Sequence, residues 1–440
     1  MPDSALLPLT TRAGDEILFH RSAHPVSVRE FLGDVAALAA RLPAAGPAVN
    51  CCADRYHALV AFGAVLARGQ TTLLSAERGA HRLAAFARDH GAGYVIAEEA
   101  PEGCPLPVVA CGMTIGARHP AAPPPAARAD HIAAIAFTSG STGAPAPHPK
   151  PWGALVAGAR AAAERFGLRH GDGPPASIVA TVPAQHMYGF ETTLMLPLLS
   201  AAAGHAGAAF YPSDVAEALH AVPPRRVLVT TPLHLRAQLA AGTSLPALEA
   251  VISATAPLDP ALAAEAERAW STRVLEIYGA TEAGSVASRR TLDGPDWTPY
   301  PGVAFAIGEE AAEVTVPGLP APVPLADVLA RAEGTRFRLL GRRADLVKRA
   351  GKRASLAGLN RILAEIEGVQ DGVFVAPEDL ERNPQARLAA YVVAPGRTAE
   401  EILAALRARV EPAFLPRPVV MMEALPRDGL GKLARAALRP

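Results

Sequence analysis

At 440 residues the chain is longer than a single hydrophobic core usually serves, so two or three domains are expected. Half the residues are hydrophobic and 19% are charged, the balance of a globular protein, and an aromatic share of 5% means cores built mainly from Ala, Val and Leu. Lys plus Arg and Asp plus Glu both number 42, so there is no electrostatic footprint for a nucleic-acid partner.

The start, Met1-Pro2-Asp3-Ser4, lacks the basic and apolar regions of a signal peptide, and Arg, Glu and His break every Ala-rich stretch before it reaches membrane-spanning length. Cys51, Cys52, Cys104 and Cys111 fit neither a zinc site nor a CxxC pair, and are expected to be buried free thiols in a reducing cytoplasm. Residues 28–42 and 57–68 read as helices and 93–97 as a strand, followed by a Pro/Ala-rich linker at 120–127. The apolar run 132–137 reads as a buried strand that delivers a loop to a sheet edge. Further β-rich runs follow at 177–181, 226–230, 250–253 and 274–277, each leading into a helical segment. Strands alternating with helices imply parallel β-α units with ligands beyond the carboxyl ends of the strands. A Pro-rich segment at 316–324 precedes a charged stretch at 331–352. From there to the end a helix at 356–367 and a strand–helix–strand pattern read as a small second domain.

Several segments at these strand ends carry chemistry. Thr138-Ser139-Gly140-Ser141-Thr142-Gly143, followed by Lys150-Pro151-Trp152, combines a tightly turning backbone, hydroxyl donors and a fixed cation, which together suit phosphate. It is not a Walker A loop, because no Gly-Lys-Ser/Thr triplet closes it. Tyr278-Gly279-Ala280-Thr281-Glu282-Ala283-Gly284 joins an aromatic ring, able to stack on a base, to a carboxylate able to carry Mg²⁺. Ser253-Ala254-Thr255-Ala256-Pro257-Leu258 is a small-residue turn after a strand, and Gln185-His186-Met187-Tyr188-Gly189-Phe190 offers a His between potential flat walls. Gly341-Arg342-Arg343-Ala344-Asp345, with Gly351-Lys352-Arg353 beyond it, is a basic run that by itself reads as a solvated turn. Pro426-Arg427-Asp428-Gly429-Leu430-Gly431-Lys432-Leu433-Ala434-Arg435 sets a lysine between slender glycine-rich flanks.

Taken in order, these six segments resemble the motifs of the AMP-forming adenylating enzymes, the superfamily of acyl-CoA synthetases, luciferases and nonribosomal-peptide adenylation domains. The resemblance implies an α/β fold, with a large N-terminal domain of stacked α/β sheets (1–341) and a small mobile α+β C-terminal domain (342–440). It implies that Thr138, Ser139, Gly140, Ser141, Thr142, Gly143 and Lys150 hold the phosphates of ATP. Tyr278, Gly279 and Ala280 would pack on adenine, Thr281 would contact the α-phosphate and Glu282 would hold Mg²⁺. Ala254, Thr255 and Ala256 would wall the adenine pocket, while Ser253, His186, Tyr188, Gly189 and Phe190 would line the acid pocket, with His186 orienting the carboxylate. Lys432 would be the catalytic lysine and Arg342 a ribose or phosphate contact. The usual Thr-Gly-Asp triplet is missing, and Asp327, 15 positions before Arg342, takes the ribose role by its separation. Ala344 stands where the family has its hinge Asp or Lys, which leaves the pivot at Ala344 or Asp345. The region before the phosphate loop and the segment around 285–325 look abbreviated.

The His-Pro-Lys-Pro-Trp end of the phosphate loop, His186-Met187-Tyr188-Gly189 and Gly351-Lys352-Arg353-Ala354-Ser355-Leu356 resemble a compact subgroup of aryl-polyene and xanthomonadin pigment biosynthesis. That subgroup loads hydroxybenzoate-type acids onto an acyl carrier protein. The alternatives are an aryl or medium-chain acyl-CoA synthetase, and a non-catalytic nucleotide- or acyl-binding relic. Retention of Lys432 and Glu282 speaks against the relic.

Overall fold

The computed structural model describes residues 5–22, 24–75, 77–112, 115, 119–138, 146–308, 311–342, 346–349, 352–377, 380, 383, 386–426, 433 and 438. The chain divides into two compact units. The first comprises Met1–Gly294, Thr298–Ala304 and Val314–Val323; the second comprises Pro295–Trp297, Phe305–Glu313 and Pro324–Pro440.

The first unit is built on two sheets. One has the order Ala146–Pro151, Ile132–Thr138, Thr72–Leu73, Ala48–Asn50, Tyr94–Ala97, Val108–Ala110, parallel throughout except at its first pair. The other runs Gly284–Arg290, Val274–Ala280, Leu248–Ser253, Arg226–Thr230, Ser177–Ala180, Ala203–His205, Ile17–His20, with parallel pairing from Val274–Ala280 to Ile17–His20. The predicted β-α alternation is present except after Val274–Ala280, which turns back into the antiparallel strand Gly284–Arg290 where a helix is expected, and two of the helices start at clear local signals. Val28–Ala39 starts at a capping box formed by Ser27 and Glu30, and Arg55–Ala67 starts at an Asp54 cap. The second helix is apolar on all sides and lies inside the largest core with Phe31, Phe62, Trp152 and Phe190.

One expectation is corrected here, and one strand has no counterpart in the sequence reading. The end of the predicted linker at 120–127 enters a strand, Ala126–Arg128, paired with Leu6–Pro8. The proline run after the phosphate loop is also a strand, Ala146–Pro151, antiparallel to Ile132–Thr138. Pro147, Pro149 and Pro151 alternate along it, so their missing N–H groups all fall on one side, and the strand is at the sheet edge, where that costs no ladder bond. Of the cysteines, Cys51, Cys52 and Cys111 are buried free thiols as expected, whereas Cys104 is half-buried.

The second unit is α+β. It contains the antiparallel pair Asp327–Arg331 and Phe337–Arg342, and the hairpin Leu346–Arg349 with Lys352–Ser355. A sheet of Asp371–Val375, Ala389–Val393 and Val419–Met421 follows. The helices Leu356–Ala364 and Ala399–Arg407 bury Leu359, Leu363, Ile402 and Leu406 around Phe374 and Val392. No helix among the described residues is long and apolar enough to cross a membrane.

Candidate active site

The phosphate-loop segment and the Tyr-Gly-x-Thr-Glu segment meet, although they are far apart in sequence. Thr138 ends its strand opposite Ala146, while Ser139, Gly140, Ser141, Thr142 and Gly143 lie outside the described residues. On the return strand Lys150 is 2% exposed, and its Nζ donates to the main-chain oxygen of Glu282 at 2.8 Å. Glu282 sits in the turn that follows Val274–Ala280, closed by the Ala283 N–H on the Ala280 oxygen at 3.0 Å. The ladder bulges between Tyr278 and Gly279, and a Cβ at 279 would stand 2.6 Å from the Gly284 oxygen across the hairpin, so only glycine fits there. Tyr278 is buried; Thr281 and Glu282 are half-buried at the turn.

Sequence reasoning missed Glu191. Its carboxylate accepts from the Ser285 N–H at 3.1 Å and from the Ser285 hydroxyl at 2.6 Å, and it fills the space where a Cβ on Gly284 would lie. Gly284 itself has φ +81, which suits glycine. Glu191 thus ties the acid-side segment to the strand that returns from the Glu282 turn. Burial pushes Lys150 and Glu191 toward their neutral forms. The ammonium falls to about 8, with Glu191 and Glu282 opposing the shift, and the Glu191 carboxyl rises with Ser285 and Lys150 opposing. At neutral pH Lys150 still carries its proton.

On the acid side, the turn between Ser177–Ala180 and His186 is fastened from outside. The Arg55 guanidinium donates to the oxygens of Ala180 at 2.7 Å, Val182 at 3.0 Å and Gly207, and Gln185 donates its side-chain N–H to the Cys52 oxygen. The Tyr188 hydroxyl lies 2.9 Å from the Ile252 oxygen and 3.2 Å from the Thr230 oxygen, at the ends of two neighbouring strands. His186 begins the short helix Met187–Gly189 and its oxygen accepts from the Phe190 N–H at 2.7 Å. Phe190 is a correction. Its ring is wholly buried, edge-on to Phe62 at 5.3 Å, so it belongs to the core and offers no wall to a ligand.

Gly189 has ordinary helical angles, but a Cβ there would overlap the Pro183 oxygen and stand 2.8 Å from its carbon. Gly189→Ala is therefore expected to cost about 3 kcal/mol, the upper range for overpacking against backbone. Urea unfolding measures it, and an unchanged midpoint would remove this reading of the turn.

The small-residue turn follows Leu248–Ser253. Ser253 is buried, and its hydroxyl has no hydrogen-bond partner among the described residues. Ala254 is buried, Thr255 and Ala256 are exposed, and Thr255 is held at φ +80, a strained setting for a β-branched residue. Glu276 secures this turn, accepting from the Leu258 N–H at 3.0 Å, the Thr291 hydroxyl at 2.8 Å and Arg289 at 2.6 Å. An orphaned hydroxyl beside a strained residue marks a place kept for something other than packing.

In the second unit Asp327 and Arg342 are direct cross-strand partners, which explains their separation in sequence: one hairpin lies between them. Lys432, Ala344 and Asp345 lie outside the described residues. Among the described residues no group of three His, Cys, Asp or Glu side chains could hold a metal. A Mg²⁺ held by a single carboxylate together with substrate phosphates needs no such group.

Comparison with known proteins gives the family of the chain. A sequence profile of the family described as AMP-binding enzyme matches residues 10–321. The 4-coumarate–CoA ligase of Rhodobacter capsulatus is 32% identical over 289 residues, which is 65% of this chain and 70% of that one. The 4-chlorobenzoate–CoA ligase of Pseudomonas sp. strain CBS-3 is 26% identical over 411 residues, 82% of this chain and 76% of that one. Among solved structures, the o-succinylbenzoate coenzyme A synthetase MenE of Bacillus subtilis with AMP gives a TM-score of 0.84 at 16% identity, covering 99% of each chain. ATP-bound MatB of Rhodopseudomonas palustris gives 0.83 at 18% identity, covering 98% of this chain and 97% of that one. The chain belongs to the AMP-binding enzyme family. It is an AMP-forming acid–thiol ligase, which activates a carboxylic acid with ATP and joins it to a thiol.

Proposed function

We propose that the acid is a small hydroxylated aryl acid and that the acceptor is the thiol of an acyl carrier protein. The observation that carries the nucleotide half is the bond from Lys150 to the Glu282 main chain, which brings the phosphate loop and the carboxylate turn into one place. In this reading the acid's carboxylate oxygen attacks the α-phosphorus and the bond to pyrophosphate breaks. Both groups are anionic, so the step needs cations: Lys150 holds the leaving pyrophosphate and Lys432 sits at the α-phosphate. Thr138 and the Ser139–Gly143 loop cradle the phosphates, Tyr278 and the 254–256 turn flank the base, and Asp327 with Arg342 holds the ribose. Mg²⁺, when bound at Glu282, supplies further neutralisation of phosphate charge. His186 orients the carboxylate and Tyr188 gives the flat side of the acid pocket. The thiol then attacks the acyl carbon and AMP leaves. The part from about 342 onward is the mobile domain, whose rotation withdraws Lys432 and presents the segment near Gly351 for this second step.

A second reading, coenzyme A as acceptor, is favoured by the two CoA-ligase relatives. One experiment separates the readings. Pyrophosphate release is measured with 3-hydroxybenzoate, 4-hydroxybenzoate, benzoate and dodecanoate at equal concentration, and the product is then captured with coenzyme A or with phosphopantetheinylated carrier protein. The expected order is a hydroxybenzoate first, benzoate lower and dodecanoate lowest, with acyl transfer to carrier protein. Faster turnover of dodecanoate would sink the aryl reading, and transfer to coenzyme A alone would replace the carrier.

A further inference from the structure

Beside the acid-side segment lies a small cavity that none of the motifs uses. It has a volume of about 20 Å³, room for one water-sized group, and is bounded by Thr181, Thr230, His234 and Leu228, with Phe210 at its outer side. Thr181 and Thr230 stand at the carboxyl ends of neighbouring parallel strands, where ligands of such sheets bind. Thr230 is shared with the acid side, because its oxygen takes the Tyr188 hydroxyl. Its own hydroxyl lies 3.0 Å from that of Thr181, which in turn lies 2.8 Å from His234 Nδ1. The imidazole is therefore fixed by one nitrogen. The other, Nε2, is buried and has no hydrogen-bond partner among the described residues. The exposed Phe210 ring packs edge-on to the imidazole, with centroids 5.3 Å apart.

We propose that His234 is the specificity-determining residue of the acid site, its Nε2 pairing with a hydroxyl on the aryl ring seated in this cavity. The proposal rests on the aryl-acid reading above and goes further by assigning the polar handle to one atom. Burial pushes His234 below its ordinary pKa, so the ring is neutral and presents one acceptor and one donor nitrogen. Whichever tautomer Thr181 selects, a hydroxyl satisfies Nε2, since it both donates and accepts. An unsubstituted ring leaves Nε2 buried and unpaired, and an unmade buried bond of that kind is what discriminates hydroxylated from plain substrates. The cavity admits a hydroxyl and excludes a larger substituent.

The test compares kcat/KM for pyrophosphate release with 3- and 4-hydroxybenzoate against benzoate in wild type, His234→Phe, His234→Gln and Thr181→Val. Wild type is expected to favour one hydroxybenzoate by about tenfold to a hundredfold. His234→Phe should erase most of that ratio, and His234→Gln should retain part of it. Thr181→Val, which removes the anchor of the imidazole with little change of shape, should lower the ratio several-fold even if the Phe variant does not fold. An unchanged ratio in the variants, with wild type active on aryl acids, overturns this proposal alone. A wild type that activates no aryl acid overturns the substrate reading and the proposal with it.

Discussion

Lys150→Met is expected to lower kcat/KM for ATP in pyrophosphate release by about 10²–10³-fold while leaving thermal stability unchanged or raised. The catalytic loss follows from removing one preorganised cation at the leaving phosphates, worth roughly 3–4 kcal/mol. The stability side follows from burial. An ammonium whose pKa has fallen from 10.5 to about 8 costs the folded state about 3 kcal/mol at pH 7, and methionine of similar shape has no such cost. The direction with pH is determined by the same shift. Between about 8 and 10.5 the unfolded chain binds the proton and the folded chain does not, so this residue's penalty shrinks as pH rises through that window. Activity moves the other way, because the useful form is the cation: kcat/KM for ATP in wild type should fall above about pH 8. A Met variant with full pyrophosphate release, or a wild-type profile flat from pH 7 to about 9.5, would refute this role.

What could be read from the sequence divides along physical lines. The strand end at Tyr278 and the glycine turn after it were legible because a short apolar run closed by glycine reads as a strand and turn, and the structure adds the reason for Gly279, a backbone crossing at 2.6 Å. Asp327 and Arg342 are ladder partners, which gives their separation of one hairpin a structural cause that no sequence pattern states. Glu191 was not legible. Within Phe190-Glu191-Thr192-Thr193-Leu194 a single carboxylate reads as the solvated face of a helix, and only the fold shows that it is buried against Ser285. Phe190 failed for the related reason that neighbours in a helical turn face opposite ways: Tyr188 reaches the strand ends and Phe190 the core. The Ala146–Pro151 strand was hidden because proline argues against a strand unless the strand is an edge, and edge position is a property of the whole sheet. His234 carries no local signal at all. Its meaning comes from Thr181, more than fifty residues upstream, and from an orphaned nitrogen that no sequence pattern encodes.

Lys432→Ala should separate the two half-reactions. The terminal Gly-Lys-x-x-Arg segment resembles the family's catalytic lysine motif, and attack of a carboxylate on an anionic α-phosphate needs a cation at the point where charge develops. In the proposed reading Lys150 serves the leaving pyrophosphate, so the α-phosphate needs a second cation. Loss of a contact made mainly in the transition state lowers kcat with little effect on ground-state binding, so adenylate formation should drop by about 10²–10³-fold while ATP affinity stays near wild type. Transfer of the acyl group from a supplied acyl-adenylate to a thiol should remain if, as proposed, the lysine is withdrawn before the bond to AMP breaks. The measurements are single-turnover pyrophosphate release, equilibrium ATP binding and thioester formation from synthetic acyl-adenylate. Near-normal pyrophosphate release would mean that the α-phosphate cation lies elsewhere. Equal loss of both half-reactions would mean that Lys432 acts through folding of the terminal segment, and the role of a withdrawn lysine would be lost with it.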